Sequence, residues 1–399
     1  MDYKAKTYRV IRRVVMPLLF SGAIMAVGSG WTVVSSPNAG TTNFLYSVAA
    51  ISDVDVWAAG YDYDASSRQF TLVEHWDGSK WSIIPSPNPG TATNCGAGYS
   101  GNMLSGIAAV SPSDVWAAGE ICGYGNMKTL TEHWNGYKWQ VIPSPRPGRN
   151  DSTLVAVAAA SGNDVWAVGN SQVSGFYQWD TLIEHWDGAK WSIVQSPNVP
   201  GADKNFLNGV AVVSPADVWA VGYSEDGIPG TIDAPLIEHY DGRSWSIVAS
   251  PFPKPSQFNA LYGITALAAN NVWAVGYANE NSRGQNGQAL IEHWDGAKWI
   301  LVPSPIAGNA TILLGIASLS ATNLTAVGYI QTPNVQFVPV TEQWNGTSWK
   351  VLNSPNAGKV AQLFGAAAAN GKTWAVGAYS PLPMSQGYME NPRTFALEK

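Results

Sequence analysis

Charge is scarce in this sequence. Asp, Glu, Lys and Arg make up 13% of its 399 residues, about half the share of an ordinary soluble chain. Basic residues are the scarcer sign. Residues 1–30 hold five of the 22 Lys and Arg and one of the 28 Asp and Glu, which leaves 17 against 27, a net of −10, from residue 31 onward. That balance excludes a nucleic-acid backbone as ligand. Cysteine is limited to Cys95 and Cys122, too few for a disulfide-stapled scaffold. Long apolar runs are absent except near the start. There Lys4, Lys6, Arg9, Arg12 and Arg13 precede an uncharged, mostly apolar stretch from Val14 to Val27. This pattern reads as an export signal over residues 1–30, cleaved or kept as a membrane anchor. Its length is below the roughly 20 residues needed to span a bilayer. The protein is therefore expected outside the cytoplasm or at the cell surface, where Cys95 and Cys122 can form a disulfide or stay as two thiols.

What the chain has in abundance is tryptophan, 19 residues, and all but one occupy a repeat. The repeat opens with a Trp-Ala-Val-Gly-like run, at Trp57, Trp116, Trp166, Trp219, Trp273, Thr325 and Trp374. After a variable gap come Glu-His-Trp-Asp-Gly, a second Trp and Ser-Pro. Starts lie 49 to 59 residues apart, a period that belongs to propellers and solenoids. The seventh copy ends at Thr394–Lys399 without its second Trp segment. That segment sits at the other end, where Gly28–Pro37 matches Gly78–Pro87 position by position. An open solenoid has no need of this exchange, whereas a closed ring uses it to remove its free edges. The expected fold is all-β, a single seven-bladed β-propeller over residues 31–399, with four antiparallel strands per blade. Strand 31–37 completes the seventh blade, and the ring is monomeric.

In the first copy, the expected strands are Leu45–Ile51 (inner), Val56–Tyr61, Leu72–Trp76 and Trp81–Pro85 (outer). Asp77-Gly78 supplies a hairpin between the last two. Ser-Pro closes the outer strand in all seven copies and protects its edge, because proline offers no N–H to a further strand. Turns on one side of the disc are short and uniform. Connections on the other side are long and differ in every copy, and function concentrates on such loops.

The residues that look chemical mostly repeat. His75, His133, His185, His239 and His293 occupy the same third-strand position, so they point into separate blades and do not converge on a metal or a substrate. No histidine is left for a zinc site or a His-based triad, and no cofactor or metal is expected. The preceding Glu (Glu74, Glu132, Glu184, Glu238, Glu292, Glu342, Glu398) is read as a structural acceptor for a neighbouring strand or a Trp indole. Asp55 and its equivalents are read as turn caps. Asp62-Tyr63-Asp64 resembles a minimal cation site but equally a solvated loop.

Candidate ligand-binding residues are those that break the repeat. Phe176, Tyr177, Trp179 and Asp180 lie in the long loop of the third copy, and three aromatics there form a stacking platform or fold back onto the blade edge. Tyr63, Arg68, Arg283 and Tyr388 join them on the variable face. Asp151, Asp203, Glu225, Asp226 and Glu280 supply the acids for an alternative, carboxylate-based chemistry.

Asp-Val-Trp-Ala-Val-Gly followed by His-Trp-Asp-Gly-x-x-Trp resembles propeller repeats of bacterial secreted proteins. It is more distantly similar to tectonin and tachylectin-type lectins, which also combine Val-Trp with a Trp-Asp-Gly-x-x-Trp hairpin. The resemblance spans residues 31–399 and implies a propeller. The loops are unlike those of the lectins, so no sugar-contacting residue carries over. The expected function is therefore an exported, non-enzymatic binding protein that takes a glycan or a protein on its variable face. The alternatives are a glycosidase or lyase with its carboxylates at the axial mouth, or a purely structural surface protein. Deleting residues 31–37 is expected to lower the melting temperature of the whole domain; an unchanged thermal transition would contradict the ring.

Overall fold

The computed structural model describes residues 30–90, 101–123, 126–147, 150–174, 178–226, 233–253, 258–279, 287–305, 310–332, 336–385 and 388–399. They form 28 strands and no helix. The strands pair into six sheets, five of four strands and one of eight. The larger sheet joins the strands of the third and fourth repeats through one parallel bridge, Trp179 to Lys204. Among the described residues no helix is long and apolar enough to cross a membrane. Of the segment 1–30, read above as signal or anchor, residues 1–29 lie outside the described residues.

The first strand, β1 (Thr32–Val34), does not join the repeat that follows it. It pairs antiparallel with Arg393–Glu398, Thr32 opposite Glu398 and Val34 opposite Ala396, so both ends of the chain share one sheet. The flanking contacts repeat those of the first copy. The Thr394 amide donates to Asn38 Oδ1 (3.0 Å) and its hydroxyl to the Pro37 carbonyl (2.8 Å). Thr71 does the same with Asn88 (2.8 Å) and Pro87 (3.0 Å).

The first repeat comprises β2 (Thr42–Ala50), β3 (Val56–Tyr63), β4 (Gln69–Trp76) and β5 (Trp81–Ile83), paired in chain order. Its outer strand is shorter than expected. β5 stops at Ile83, so Ser86-Pro87 lies beyond the ladder. The serine instead acts sideways. Ser36, Ser144, Ser250 and Ser304 donate to the buried carboxylates of Glu74, Glu184, Glu292 and Glu342 in the next repeat, at 2.6 to 2.9 Å.

Each inner strand slips by one residue. Leu45 faces Gly60 but Ser47 faces Ala59, leaving Tyr46 as the extra residue, and the same irregularity falls at Ser105, Val155, Asn208, Tyr262, Leu314 and Phe364. A bulge of this kind re-aims the strand. It also explains the repeat glycine. A Cβ on Gly60 would sit 1.8 Å from the Phe44 carbonyl oxygen, and at Gly222 the Phe206 carbonyl takes the same place. The small residue of the inner strand has a different cause, the neighbouring repeat: a Cβ on Gly365 would meet the Tyr46 carbonyl at 2.9 Å.

Repeats meet through aromatic seams. Trp57 packs on Trp134 (5.1 Å) and edge-on to Trp139 (5.7 Å) of the following repeat, and Trp374 packs likewise on Trp76 and Trp81 of the first. Strand direction alternates, so Thr42–Tyr46, Tyr61–Tyr63 and Gln69–Thr71 gather at the long-loop end. Turns 52–55 and 77–80 lie at the opposite end. Gly222→Ala is expected to destabilise the protein by about 1–3 kcal/mol, measured by denaturant unfolding, because the bulged backbone cannot yield to a methyl group.

Candidate functional site

The repeated polar residues form a lattice within each repeat. His75 Nε2 lies 2.8 Å from Asp55 Oδ1, and its ring packs against Trp57 at 4.3 Å, tilted by 30°. The same triplet recurs at His133–Asp114, His185–Asp164 and His239–Asp217. Asn271 replaces the acid beside His293 at 2.9 Å. In the sixth repeat Gln343 donates to Asn323 Oδ1 at 2.9 Å. The Asp read as a turn cap is thus the partner of the His ring, and Trp57 Nε1 also donates to Asp55 (3.1 Å). An Asn serves as well because it offers the same acceptor. Among the described residues no group of three or more His, Cys, Asp and Glu has the geometry to hold a metal ion.

The third-strand Glu is fully buried in the first six repeats. In four of them (Glu74, Glu184, Glu292, Glu342) its partner is the Ser of the preceding Ser-Pro, not a Trp indole. In the last repeat Leu397 takes that register, and Glu398, read as its equivalent, faces Trp374 instead and pairs with Lys372 at 3.3 Å. Burial raises Glu74, Glu132, Glu184 and Glu238 to about 8, with the Ser36 and Ser144 hydroxyls pulling Glu74 and Glu184 the other way. Among the described residues Glu132 and Glu238 have no hydrogen-bond partner for either oxygen; Ser86 and Ser196 face Thr71 and Thr181 instead (2.6 and 2.7 Å).

Sequence candidates end up in different places. Phe176, Tyr177, Arg283 and Glu280 lie outside the described residues, as does Cys95. Cys122 is 4% exposed and disulfide-bonded, and Cys95 is the only other cysteine in the sequence. Trp179 and Asp180, expected on a loop, belong to the strand Gln178–Trp186. Asp64 is not a free cation ligand. Its carboxylate accepts from the Ser66 and Arg68 amides and pairs with the Arg68 guanidinium at 2.6 Å. Asp62 is 7% exposed, and burial, then the Asp64 charge, raises it to about 6. Tyr63 packs edge-on to Tyr61 at 5.4 Å. Tyr388 is 76% exposed and belongs to no aromatic cluster of the described residues.

What the fold brings together is a series of rings at the long-loop end. Trp179 contacts Phe206 (6.0 Å), Phe206 contacts Tyr223 (5.0 Å), Tyr223 contacts Phe258 (5.6 Å) and Phe258 contacts Tyr277 (6.1 Å). A second cluster joins Phe364 to Tyr46 (4.9 Å) and Tyr46 to Tyr61 (5.7 Å). The positions that follow the repeat glycine are Tyr61, Glu120, Asn170, Tyr223, Tyr277, Tyr329 and Ala378, and they are the individual residues of each seam. Tyr223 also has acidic neighbours. Burial raises its hydroxyl, and Glu225, Tyr262 and Asp233 act in the same direction. Burial and the Glu225 charge raise Asp233 to about 6, opposed by Lys204. Lys204 is itself held by Glu225 at 2.6 Å. In the second repeat burial, then Asp151, raises Glu120 to about 7.

Sequence reasoning did not select Tyr223, Tyr262, Phe206, Phe258, Asp233 or Glu120. For Tyr223 and Glu120 the available signal was the residue after each repeat glycine, where Tyr, Glu, Asn and Ala alternate in place of a constant type.

No protein-family model matches the chain, and neither does any curated protein. Solved structures do match. YCF48 bound to D1 peptide aligns over 94% of this chain and 99% of its own, at 12% identity and a TM-score of 0.56. YCF48 from Cyanidioschyzon merolae covers 92% and 98%, at 13% and 0.52. The polysaccharide lyase Uly1 covers 94% and 93%, at 11% and 0.54. These are β-propeller proteins, and the likeness assigns this chain a β-propeller fold. At such identities it carries nothing further.

The buried carboxyls make stability fall with rising pH. Their folded pKa values lie above the ordinary 4.5, at about 8 for Glu132 and Glu238. The stabilising neutral form is therefore fully present below about pH 4.5 and is lost as pH rises towards 8. Glu132→Gln and Glu238→Gln should each be more stable than the parent at pH 8, by on the order of 1 kcal/mol. The gain should shrink to nothing near pH 4.5 in urea titrations at the two pH values.

Proposed function

We propose that this chain is an exported, non-enzymatic binding protein: a seven-bladed propeller, closed by residues 31–37, that takes a glycan or protein ligand on its long-loop face. On this reading the eight-stranded sheet is two blades bridged at Trp179, and residues 1–30 direct export. The Ser36–Glu74 bond, which repeats across the first–last seam the latch used at other seams, supports closure. The observation that carries the binding reading is the aromatic series from Trp179 to Tyr277. It links three repeats at the only end of the ring where sequence is individual, on a rigid scaffold. Structural neighbours include one described as bound to a peptide and one described as a polysaccharide lyase, so the fold accommodates either ligand class.

A second reading has its own observation. Burial, then the Asp151 charge, raises Glu120 to about 7, and a carboxyl poised near neutrality with a second acid beside it suits acid–base work on a glycosidic bond. Glycan and peptide arrays probed with the full chain, Trp179→Ala and Tyr223→Ala decide between them. The binding reading expects a defined ligand whose signal drops at least about tenfold in both variants. Release of new sugar ends from a polysaccharide, abolished in Glu120→Gln and retained in Tyr223→Ala, would establish the enzyme instead.

A further inference from the structure

We infer that the wall formed by Phe206, Tyr223, Phe258 and Tyr277, together with Glu225 and Asp233, is a docking surface for a basic polypeptide segment. This rests on the long-loop face being the binding face and narrows its ligand to one class. Three observations on different residues converge here.

The first is shape. The four rings form a continuous contact series with centroid separations of 5.0, 5.6 and 6.1 Å. They come from two adjacent repeats, with Trp179 of a third at one end. Phe206, Tyr223 and Phe258 are only half-buried, so part of each ring remains available. Tyr277, 8% exposed, anchors the series from the buried side, and the three partly exposed rings present the contact surface.

The second is local charge. Asp233 lies within electrostatic reach of Glu225 and Asp226, with Lys204 the opposing cation. Among the described residues of this wall Lys204 is the one cation, and Glu225 already holds it. Three carboxyls and one ammonium leave a local excess of negative charge in a partly desolvated place. An incoming Lys or Arg offsets the repulsion that Glu225 and Asp226 add to the burial of Asp233, and gains the faces of Tyr223 and Phe258 through cation–π attraction.

The third is the long-range field. The net charge of −10 beyond residue 30 attracts cations and repels uronates, sulfated glycans and acidic peptides. A neutral sugar would use the rings and donate hydroxyls to the acids, but it would not neutralise their charge. The combination of rings and unneutralised carboxyls is what favours a basic chain.

The test is fluorescence anisotropy on the purified full chain, with three labelled probes: a Lys-rich peptide without aromatics, the same peptide with Glu in place of Lys, and a neutral cello-oligosaccharide. The Lys peptide should bind and the Glu peptide should not. Affinity should fall about tenfold or more between about 50 and about 500 mM salt. Tyr223→Ala and Asp233→Asn should each weaken binding about five- to tenfold, whereas Tyr223→Phe, which keeps the ring, should retain most of it. Asp53→Asn removes one acid at the opposite, short-turn end and should leave binding within about twofold. Equal loss in Asp53→Asn and Asp233→Asn would overturn the proposal, since it would report bulk charge alone. Binding of the oligosaccharide, lost in Tyr223→Ala and insensitive to salt, would also overturn it while leaving the long-loop face as the binding face. No binding of any probe would overturn it too, and a blank glycan and peptide array alongside would take the underlying reading down with it.

Discussion

The structure depends on the tryptophan held in each seam. Trp57 has the His75 ring on one side and the hairpin indoles Trp134 and Trp139 of the following repeat on the other. Burying three large aromatic bodies in one contact supplies a hydrophobic gain that no other pair of residues in the repeat can match. The His ring is held flat by Asp55, and Gly78 turns the hairpin that delivers the second indole, so most repeat-invariant residues serve this one contact. The departures obey the same logic. Thr325 removes the central indole of the sixth repeat, and the His that would stack on it becomes Gln343. Lys399 of the next repeat fills the remaining space by donating to Gln343 Oε1 at 3.0 Å. Three substitutions therefore fall on a single seam.

This constraint removes the repeated groups from chemistry. A His fixed between an indole and a carboxylate, repeated at separate seams, cannot meet its equivalents. A fully buried Glu kept near neutral cannot exchange protons with a substrate. Outside the seam of the sixth repeat, variation gathers at the strand ends beyond the repeat glycine, where the bulge turns residues such as Tyr46 and Tyr262 out of the ladder. Function is free to evolve there because a change at Tyr223 or Glu120 disturbs no seam tryptophan.

Part of the candidate site was legible in the sequence. Trp179 stood out as the one Trp without a repeat position, and it does end the aromatic series. Glu225 and Asp226 were read as loop acids; Glu225 instead ends the strand Asp217–Glu225, and both act on Asp233. Other parts were hidden for definite reasons. Phe206, Tyr223, Phe258 and Tyr277 are separated by 17, 35 and 19 positions in the chain, and nothing local marks them as neighbours. Asp233 carries no sequence mark; its place on this wall comes from its backbone bridge to Phe258. The Ser-Pro serine read as an edge signal, because its acceptor, Glu74 for Ser36, sits in a different repeat.

The sequence by itself determined the period, the strand pairs within a repeat, the hairpin turns and the completion of the last repeat by the first segment. Each of these depends on residues close in the chain or on direct equivalence between copies, and side-chain alternation and turn chemistry act at that range. Tertiary structure alone decided which individual residues meet. The one-residue bulge, the seam that sets Tyr223 against Phe258, and the bridge from Trp179 to Lys204 all arise where one sheet packs on the next. Their partners are chosen by close packing and by the exclusion of water, which no local pattern in the chain encodes.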